Sequence, residues 1–346
     1  MKIVICTAQV PFIRGGAEIL SETLHKEMLK RGYDVELVNI PFKWYPPTQI
    51  VKSAMAWRLL DLTEYDGKKI DLLICTKFPS YVVKHPNKVA WIFHQHRPVY
   101  DLKNTIYDDI KNYPDGEKVR QMIINMDNKV LLELKKIFTI SKNVSSRLKR
   151  HNNVNSEVLY PPLKNEERYH NKSYGNYILS VSRLDALKRH DLLIKAMKRV
   201  KTDVKCKIAG TGPMTKDLVE LTKKLGLEDK VEFLGYVDDE KLYDLYADSL
   251  AIYFSPFDED YGYVTIESFR SRKSVITSND SGGPLEFVEN GISGFITAND
   301  PIEIAEKMDV LYNDKGLAEK MGNAGYRKLD KLNMTWDNVI KKLVGE

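Results

Sequence analysis

YILSVSRLDALKRHDLLIKAMKR (177–199) runs from an apolar, β-rich segment through a polar turn into a helical pattern that begins near His190. The same rhythm recurs downstream, in VKCKIAG (204–210) with a helix from about Met214 to Leu225, and then in KVEFLGY (230–236). SLAIYFSP (249–256), SVITSN (274–279) and GFITA (294–298) supply further strands, with helices expected near 238–247, 262–271 and 301–312. Upstream, Pro161-Pro162 and the polar stretch that follows read as a break between domains. Ahead of that break lies a separate series: KIVICTAQV (2–10), DVELVNI (34–40), IDLLICT (70–76), KVAWIFH (88–94), KIFTIS (136–141) and EVLYPP (157–162). Helical tracts are expected up to about Arg31 and from about Glu117 to Lys135. Nearly continuous apolar strands separated by helices predict parallel sheets covered on both faces. The expectation is an α/β protein of two Rossmann-like domains facing each other across a ligand cleft: residues 1–163, a linker at 164–175, residues 176–330, and a last helix within 331–346 that packs back on the first domain.

A length of 346 residues suits two such domains. With 43% hydrophobic and 29% charged residues, the chain has the balance of a globular enzyme, not of a disordered or fibrous one. The formal charge of +5 is unevenly divided: residues 1–163 carry 25 Lys and Arg against 17 Asp and Glu (+8), while residues 164–346 carry 28 against 31 (−3). A basic first half fits phosphates or phospholipid head groups on that side, or a solvated lysine-rich surface. No run approaches the ~20 apolar residues of a membrane span, and MKIVICTAQV is too short and too strand-like for a secretory signal. Cys6, Cys75 and Cys206 lie in separate apolar runs without CxxC spacing. That excludes a disulfide scaffold or zinc ribbon and predicts reduced core thiols in a cytoplasmic protein.

In parallel α/β sheets, ligands sit beyond the carboxyl ends of strands and helix N-termini hold phosphate. Gly15-Gly16 follows the first strand and opens a helix, either a close backbone approach to an anion or sugar, or a tight turn. Arg183 and Lys188 stand between a strand and a helix, where two cations could neutralise a diphosphate; singly, each reads as an ordinary surface residue. Gly210 and Gly212 repeat the strand–glycine–helix arrangement. In SPFDEDYGYVTIESF (255–269), Glu259 and Glu267 stand eight positions apart with Gly262 between them, where a helix could begin. A carboxylate accepts two hydrogen bonds and so suits a vicinal diol, though capping or solvent exposure is the common fate of a glutamate. His94 and His96 follow the strand KVAWIF; without a companion Asp, Glu or Cys nearby, hydrogen bonding to a sugar or oxyanion is the better reading than metal ligation.

Together these residues give the chain a family likeness. GGAE (15–18), FH (93–94), RLDALK (183–188), AGTGPM (209–214), FLGYVDDEKLYDLY (233–246), EDYGYVTIE (259–267) and GGPLEFVENGISGF (282–295) occur in the order and spacing of one family. The chain resembles the retaining glycosyltransferases of family four (glycosyl transferases group 1), which have the GT-B architecture. The likeness is strongest from about 175 to 297.

The resemblance implies that Arg183 and Lys188 hold the diphosphate of a nucleotide-sugar, that Glu267 binds the ribose hydroxyls, and that Glu259 contacts the transferred sugar. It places Gly235, Tyr236 and Val237 near the base, Gly262, Tyr263 and Val264 near the phosphates, and Gly15 and Gly16 beside the diphosphate. Gly210 belongs to the same donor-binding set, and His94 lies beside the donor sugar. Catalysis is then carried by His94, Arg183, Lys188 and Glu259, with no metal and no cofactor, the nucleotide-sugar being a substrate. UDP-sugar is the favoured donor and GDP-sugar the next. Asp260 and Tyr263 depart from the small glycine and the aliphatic residue usual at these positions, and both alter the wall near the donor. The acceptor is expected on the first domain, near His96, Arg97 and Tyr100, as a lipid-linked sugar or surface polysaccharide met at the inner face of an anionic membrane. The basic tract 135–151 supports that expectation. The alternatives are a soluble synthase of the sucrose or glycogen type and a non-catalytic nucleotide-sugar-binding protein. Nucleic acid is not an expected partner, since the second half is acidic and no nucleic-acid-binding pattern occurs.

Overall fold

A computed structural model describes residues 1–345. The chain divides into two compact units: Met1–Pro162 together with the chain from Met334 onward, and Leu163–Asn333.

Unit 1 is built on β1 (Lys2–Gln9), β2 (Asp34–Pro41), β5 (Leu72–Cys75), β6 (Lys88–Ile92), β7 (Ile137–Thr139) and β8 (Glu157–Val158). They form one sheet in the order β2-β1-β5-β6-β7-β8, with every pairing parallel. A two-stranded antiparallel ribbon, β3 (Glu64–Tyr65) with β4 (Lys68–Lys69), stands apart. Helices α1 (Gly16–Lys30), α2 (Thr48–Leu59), α3 (Gly116–Val130) and α4 (Lys142–Asn152) cover the sheet. The central strands β5 and β6 are buried at every position, which is why their sequences read as unbroken apolar runs. Cys6 and Cys75, distant in sequence, are register partners on β1 and β5 and remain free, buried thiols.

Unit 2 repeats the plan with β9 (Tyr177–Val181), β10 (Lys205–Ala209), β11 (Val231–Gly235), β12 (Ala251–Tyr253), β13 (Val275–Ser278) and β14 (Gly294–Thr297). The order β11-β10-β9-β12-β13-β14, all parallel, is the doubly wound Rossmann order, with its direction of winding reversing between β9 and β12. Its helices are α5 (His190–Met197), α6 (Thr215–Leu225), α7 (Asp239–Asp248), α8 (Tyr263–Arg270), α9 (Pro301–Asn313) and α10 (Lys315–Asp330). Residues 164–175 are docked on this unit and do not hang free between units. Arg168 pairs with Glu240, Glu166 with Arg270 at 2.8 Å and Lys172 with Asp248 at 3.0 Å, and the Tyr169 ring meets Tyr243 edge-on at 4.9 Å. The final helix, α11 (Trp336–Val344), belongs to unit 1: Trp336 stands edge-on to Trp91 at 6.4 Å, and Asp337 pairs with Arg31 of α1 at 2.7 Å.

Among the described residues, no helix is long and apolar enough to cross a membrane.

Candidate functional site

In a doubly wound sheet, the loops leaving adjacent strands at the winding reversal diverge and open a crevice at their carboxyl ends. In unit 2 those loops are 182–189, after β9, and 254–262, after β12. The two bring Lys188 and Glu259 together, with Nζ donating to Oε2 at 2.6 Å; each side chain is about one-fifth exposed. Lys188 also lies 5.6 Å from the centre of the Phe254 ring. Arg183 sits exposed in the first of these loops.

The loops are held by backbone contact that only glycine permits at two points. A Cβ on Gly210 would lie 1.9 Å from the Ser182 carbonyl oxygen, and one on Gly212 would lie 2.3 Å from that of Leu184. Gly210 donates its amide to the Gly235 carbonyl at 2.8 Å, and Leu184 donates its own to Thr211 at 3.0 Å. Gly210, expected in the donor set, therefore serves loop-on-loop packing, and its amide is engaged within the protein. On the other side, Glu259 donates its amide to Ser281 and accepts from Gly283, both at 2.8 Å, so the loops after β12 and β13 pair like a short ladder.

Gly262 opens α8 at φ +88°, followed by Tyr263 and Val264, whose first-turn amides have no acceptor inside the helix. One and a half turns further on, Glu267 accepts a hydrogen bond from the Tyr246 hydroxyl at 2.6 Å, and Tyr169 hydrogen-bonds the same carboxylate. Burial pushes the Glu267 carboxyl above its ordinary range, while the two phenols act in the opposite direction by stabilising the carboxylate. At the end of β11, Gly235 turns at φ +66°, Tyr236 projects outward at 83% exposure and Val237 is half-buried.

Unit 1 has its own winding reversal, between β1 and β5. Gly15 caps α1 there and donates its amide to the Glu18 carboxylate at 2.9 Å; Glu18 in turn pairs with Lys77 from the loop after β5. A Cβ on Gly15 would meet only a Glu18 oxygen at an ordinary 3.5 Å, and φ is −137°. Nothing inside the chain requires glycine at this position, in contrast to Gly210 and Gly212. Gly16 follows as the exposed first residue of the helix.

The loop after β6 separates the remaining candidates. His94 is half-buried, with Nδ1 hydrogen-bonded to the Gln95 carbonyl at 2.8 Å. His96 is buried against the rings of Phe42 (5.9 Å) and Phe78 (5.7 Å), and burial lowers its pKa to about 3, so it is neutral. Tyr100 is buried as well; its hydroxyl donates to Asp127 Oδ2 at 2.7 Å, beside the Tyr81 hydroxyl at 3.1 Å from Oδ1. Arg97 pairs with Asp101 at 2.7 Å. His96 and Tyr100, expected to face an acceptor, are thus interior residues that hold the loop in place. Similarly, in the basic tract of α4, Lys142, Lys149 and Arg150 are exposed, but Arg147 turns inward to Asp101 at 3.6 Å.

Nothing in the sequence marks Arg189, Asp280, Tyr169 or Tyr246 as parts of the site. Tyr246 belongs to FLGYVDDEKLYDLY (233–246), and only in the fold does α7 carry it to Glu267 of α8.

Residues 164–328 match the family of glycosyl transferases group 1. An uncharacterized glycosyltransferase of Methanocaldococcus jannaschii is 24% identical over 99% of this chain and 97% of its own length. An N-acetylgalactosaminyltransferase of Campylobacter jejuni, acting on a diphospho-undecaprenol-linked sugar by its name, is 36% identical over 49% of this chain and 47% of its own length. Among solved structures, the sucrose-phosphate synthase of Thermosynechococcus elongatus aligns over 100% of this chain and 98% of its own (TM-score 0.79, 15% identity). Anabaena HepE with UDP and glucose aligns over 100% and 99% (TM-score 0.73, 16% identity). These likenesses identify the fold as GT-B, and the stretch similar to the glycosyl transferases group 1 family, residues 164–328, lies within unit 2.

Proposed function

We propose that the protein is a retaining, metal-independent glycosyltransferase that moves a sugar from a nucleotide-sugar, UDP-linked by preference and GDP-linked next, to a lipid-linked sugar or surface polysaccharide. The observation that carries this reading is the pairing of Lys188 with Glu259 where the loops after β9 and β12 meet, with Arg183 in the first loop and α8, which carries Glu267, following the second. Cations and free amides suit a diphosphate; Glu267, held by two phenols, suits a ribose diol. Gly15, which no internal contact requires to be glycine, suits close approach of a ligand to the backbone.

In the proposed reaction the bond from the anomeric carbon to the diphosphate oxygen breaks, and negative charge develops on the leaving group. Arg183, Lys188 and the amides of Tyr263 and Val264 stabilise that charge, the role a metal plays elsewhere. The acceptor hydroxyl attacks the same face of the sugar and its proton passes to the departing phosphate oxygen. Glu259 and His94 are assigned to the sugar. Losing one such charged contact should raise the barrier by ~3–4 kcal/mol, about a hundred- to a thousandfold in rate. The test is transfer by Arg183→Ala combined with Lys188→Ala, using the nucleotide-sugar that most raises the melting temperature in a panel of UDP-, GDP- and ADP-sugars. Unchanged transfer overturns the assignment.

The acceptor reading rests on the basic unit 1 and on the exposed Lys142, Lys149 and Arg150 of α4. Reversing those three charges should abolish binding to anionic liposomes at low salt. A wild-type protein that does not bind them at all points instead to a soluble acceptor.

A further inference from the structure

We infer that Arg189 is a positioning residue for the transfer, a clamp that sets the geometry of Lys188 and Glu259; the inference rests on the reading that those two residues handle the donor. Arg189 follows Lys188 directly, and its backbone lies in the left-handed region at φ +52°. Glycine takes that conformation freely and an arginine does not, so the strain must be held by what surrounds it. Here the side chain supplies the hold. Nε donates to the Ser255 carbonyl at 2.9 Å and Nη2 to the Pro256 carbonyl at 2.7 Å, both in the segment leaving β12. Nη1 and Nη2 also grip the two oxygens of Asp280, after β13, at 2.9 and 2.7 Å. Asn299 donates to the same Asp280 at 2.9 Å, and the guanidinium lies 5.9 Å from the centre of the Phe257 ring.

The grip is transmitted to the pair through the backbone. Phe257 donates its amide to Leu187 at 2.7 Å, and Asp258 donates to the Asp280 carbonyl at 2.8 Å. Asp258 is itself left-handed, at φ +44°, and Glu259 comes next. Each member of the Lys188–Glu259 pair is therefore adjacent in sequence to a residue held in a strained conformation, and Arg189 is the side chain that ties the two loops and the β13 loop together. The planar fork of the guanidinium makes this bidentate, three-loop contact; an ammonium cannot reproduce it. A displacement of about 1 Å in a positioning group costs of the order of a hundredfold in rate.

The experiment compares Arg189→Gly, Arg189→Lys and Asp280→Asn with wild type in initial-rate transfer assays, using the nucleotide-sugar identified by the thermal panel. Rates are normalised to folded protein from thermal unfolding. Glycine relieves the backbone and removes the clamp, so Arg189→Gly should unfold cooperatively near the wild-type temperature while kcat falls about 10- to 100-fold. Arg189→Lys should not restore it, and Asp280→Asn should lose about tenfold. A lowered melting temperature with wild-type kcat and KM per folded molecule overturns the inference. If Arg189→Gly does not fold, unchanged kcat in Asp280→Asn overturns it equally. Lys188→Ala and Glu259→Gln in the same assay separate the two claims: wild-type transfer by both removes the donor reading, and with it the clamp's purpose. Loss in both, with Arg189 and Asp280 variants unaffected, removes the clamp alone.

Discussion

Glu259→Gln should tighten the binding of free nucleoside diphosphate while lowering transfer. In the unliganded protein the Lys188 ammonium is already paired, at 2.6 Å from a Glu259 oxygen, so an incoming diphosphate meets a cation with a carboxylate behind it. A phosphate oxygen docking on the far side of the ammonium would lie ~5 Å from that carboxylate. Two unit charges at this distance repel by ~3 kcal/mol at an effective dielectric of about 20. With each side chain about one-fifth exposed, screening reduces this to ~1.5 kcal/mol, about tenfold in affinity. Glutamine keeps the shape and a hydrogen-bonding oxygen but removes the charge. Calorimetric titration of wild type and Glu259→Gln with UDP and GDP should show a Kd about tenfold lower for the variant in low salt, with the gap closing near 1 M NaCl, where the Debye length falls to ~3 Å. Lys188→Ala should shift the Kd the other way. An unchanged or higher Kd for Glu259→Gln at low salt would refute the idea that this pair guards the anion site.

Other expectations follow from particular residues. Burial pushes the Asp127 carboxyl up from 3.8 to about 7, so its folded form prefers the proton; that contribution is complete below pH 3.8 and lost as pH rises through 7. Asp127→Asn should therefore raise the melting temperature at pH 8, by an amount corresponding to ~2–4 kcal/mol, and differ little from wild type near pH 4. His190 has the opposite sign: burial lowers its pKa from 6.5 to about 4, so its contribution is present above pH 6.5 and lost as pH falls toward 4. His190→Gln should flatten that acid limb in a pH series of thermal melts. Gly210→Ala, which would drive a Cβ to 1.9 Å from the Ser182 carbonyl, should be far more destabilising in denaturant titrations than Gly235→Ala. The latter meets open space and costs only the left-handed conformation, ~1–2 kcal/mol. Tyr246→Phe removes a 2.6 Å hydrogen bond to a half-buried carboxylate and should raise donor KM about 10-fold, corresponding to ~1.5 kcal/mol, with kcat less affected.

Strand positions were legible because buried parallel strands are apolar on both faces: Leu72–Cys75 and Lys88–Ile92 read as strands for that reason. Less legible were α2, α4 and α10. The exposed face of α2 carries Met55 and Leu59, which blurs the amphipathic pattern, and in α4 the many basic residues hide the short apolar face of Val144 and Leu148. Lys188, Glu259 and Glu267 stand out in the sequence because each lies at a short distance from a strand end or a helix start, where the fold keeps them. Arg189 could not. Its role depends on Asp280, 91 positions away, and on a backbone angle that no residue type announces. Gly210 is ambiguous for a related reason, since a glycine that admits a ligand and one that admits a neighbouring carbonyl look the same in sequence. Tyr100 and His96, polar residues in a loop, read as ligand contacts and proved to be interior, because Asp127 and two phenylalanine rings were already waiting for them.

Because α11 completes unit 1 after the chain has passed through all of Leu163–Asn333, the two units differ in how they can be made. Unit 2 is one unbroken stretch and can finish folding as soon as it clears the ribosome. Unit 1 must hold its sheet together without its last helix while the intervening residues are synthesised, roughly 10–35 s at ordinary elongation rates. During that interval the surface of unit 1 against which α11 buries Val339, Ile340 and Leu343 is open to other chains. Any truncation at the carboxyl end therefore prolongs indefinitely a stage that the intact protein only passes through, and the damage falls on the half of the molecule encoded first.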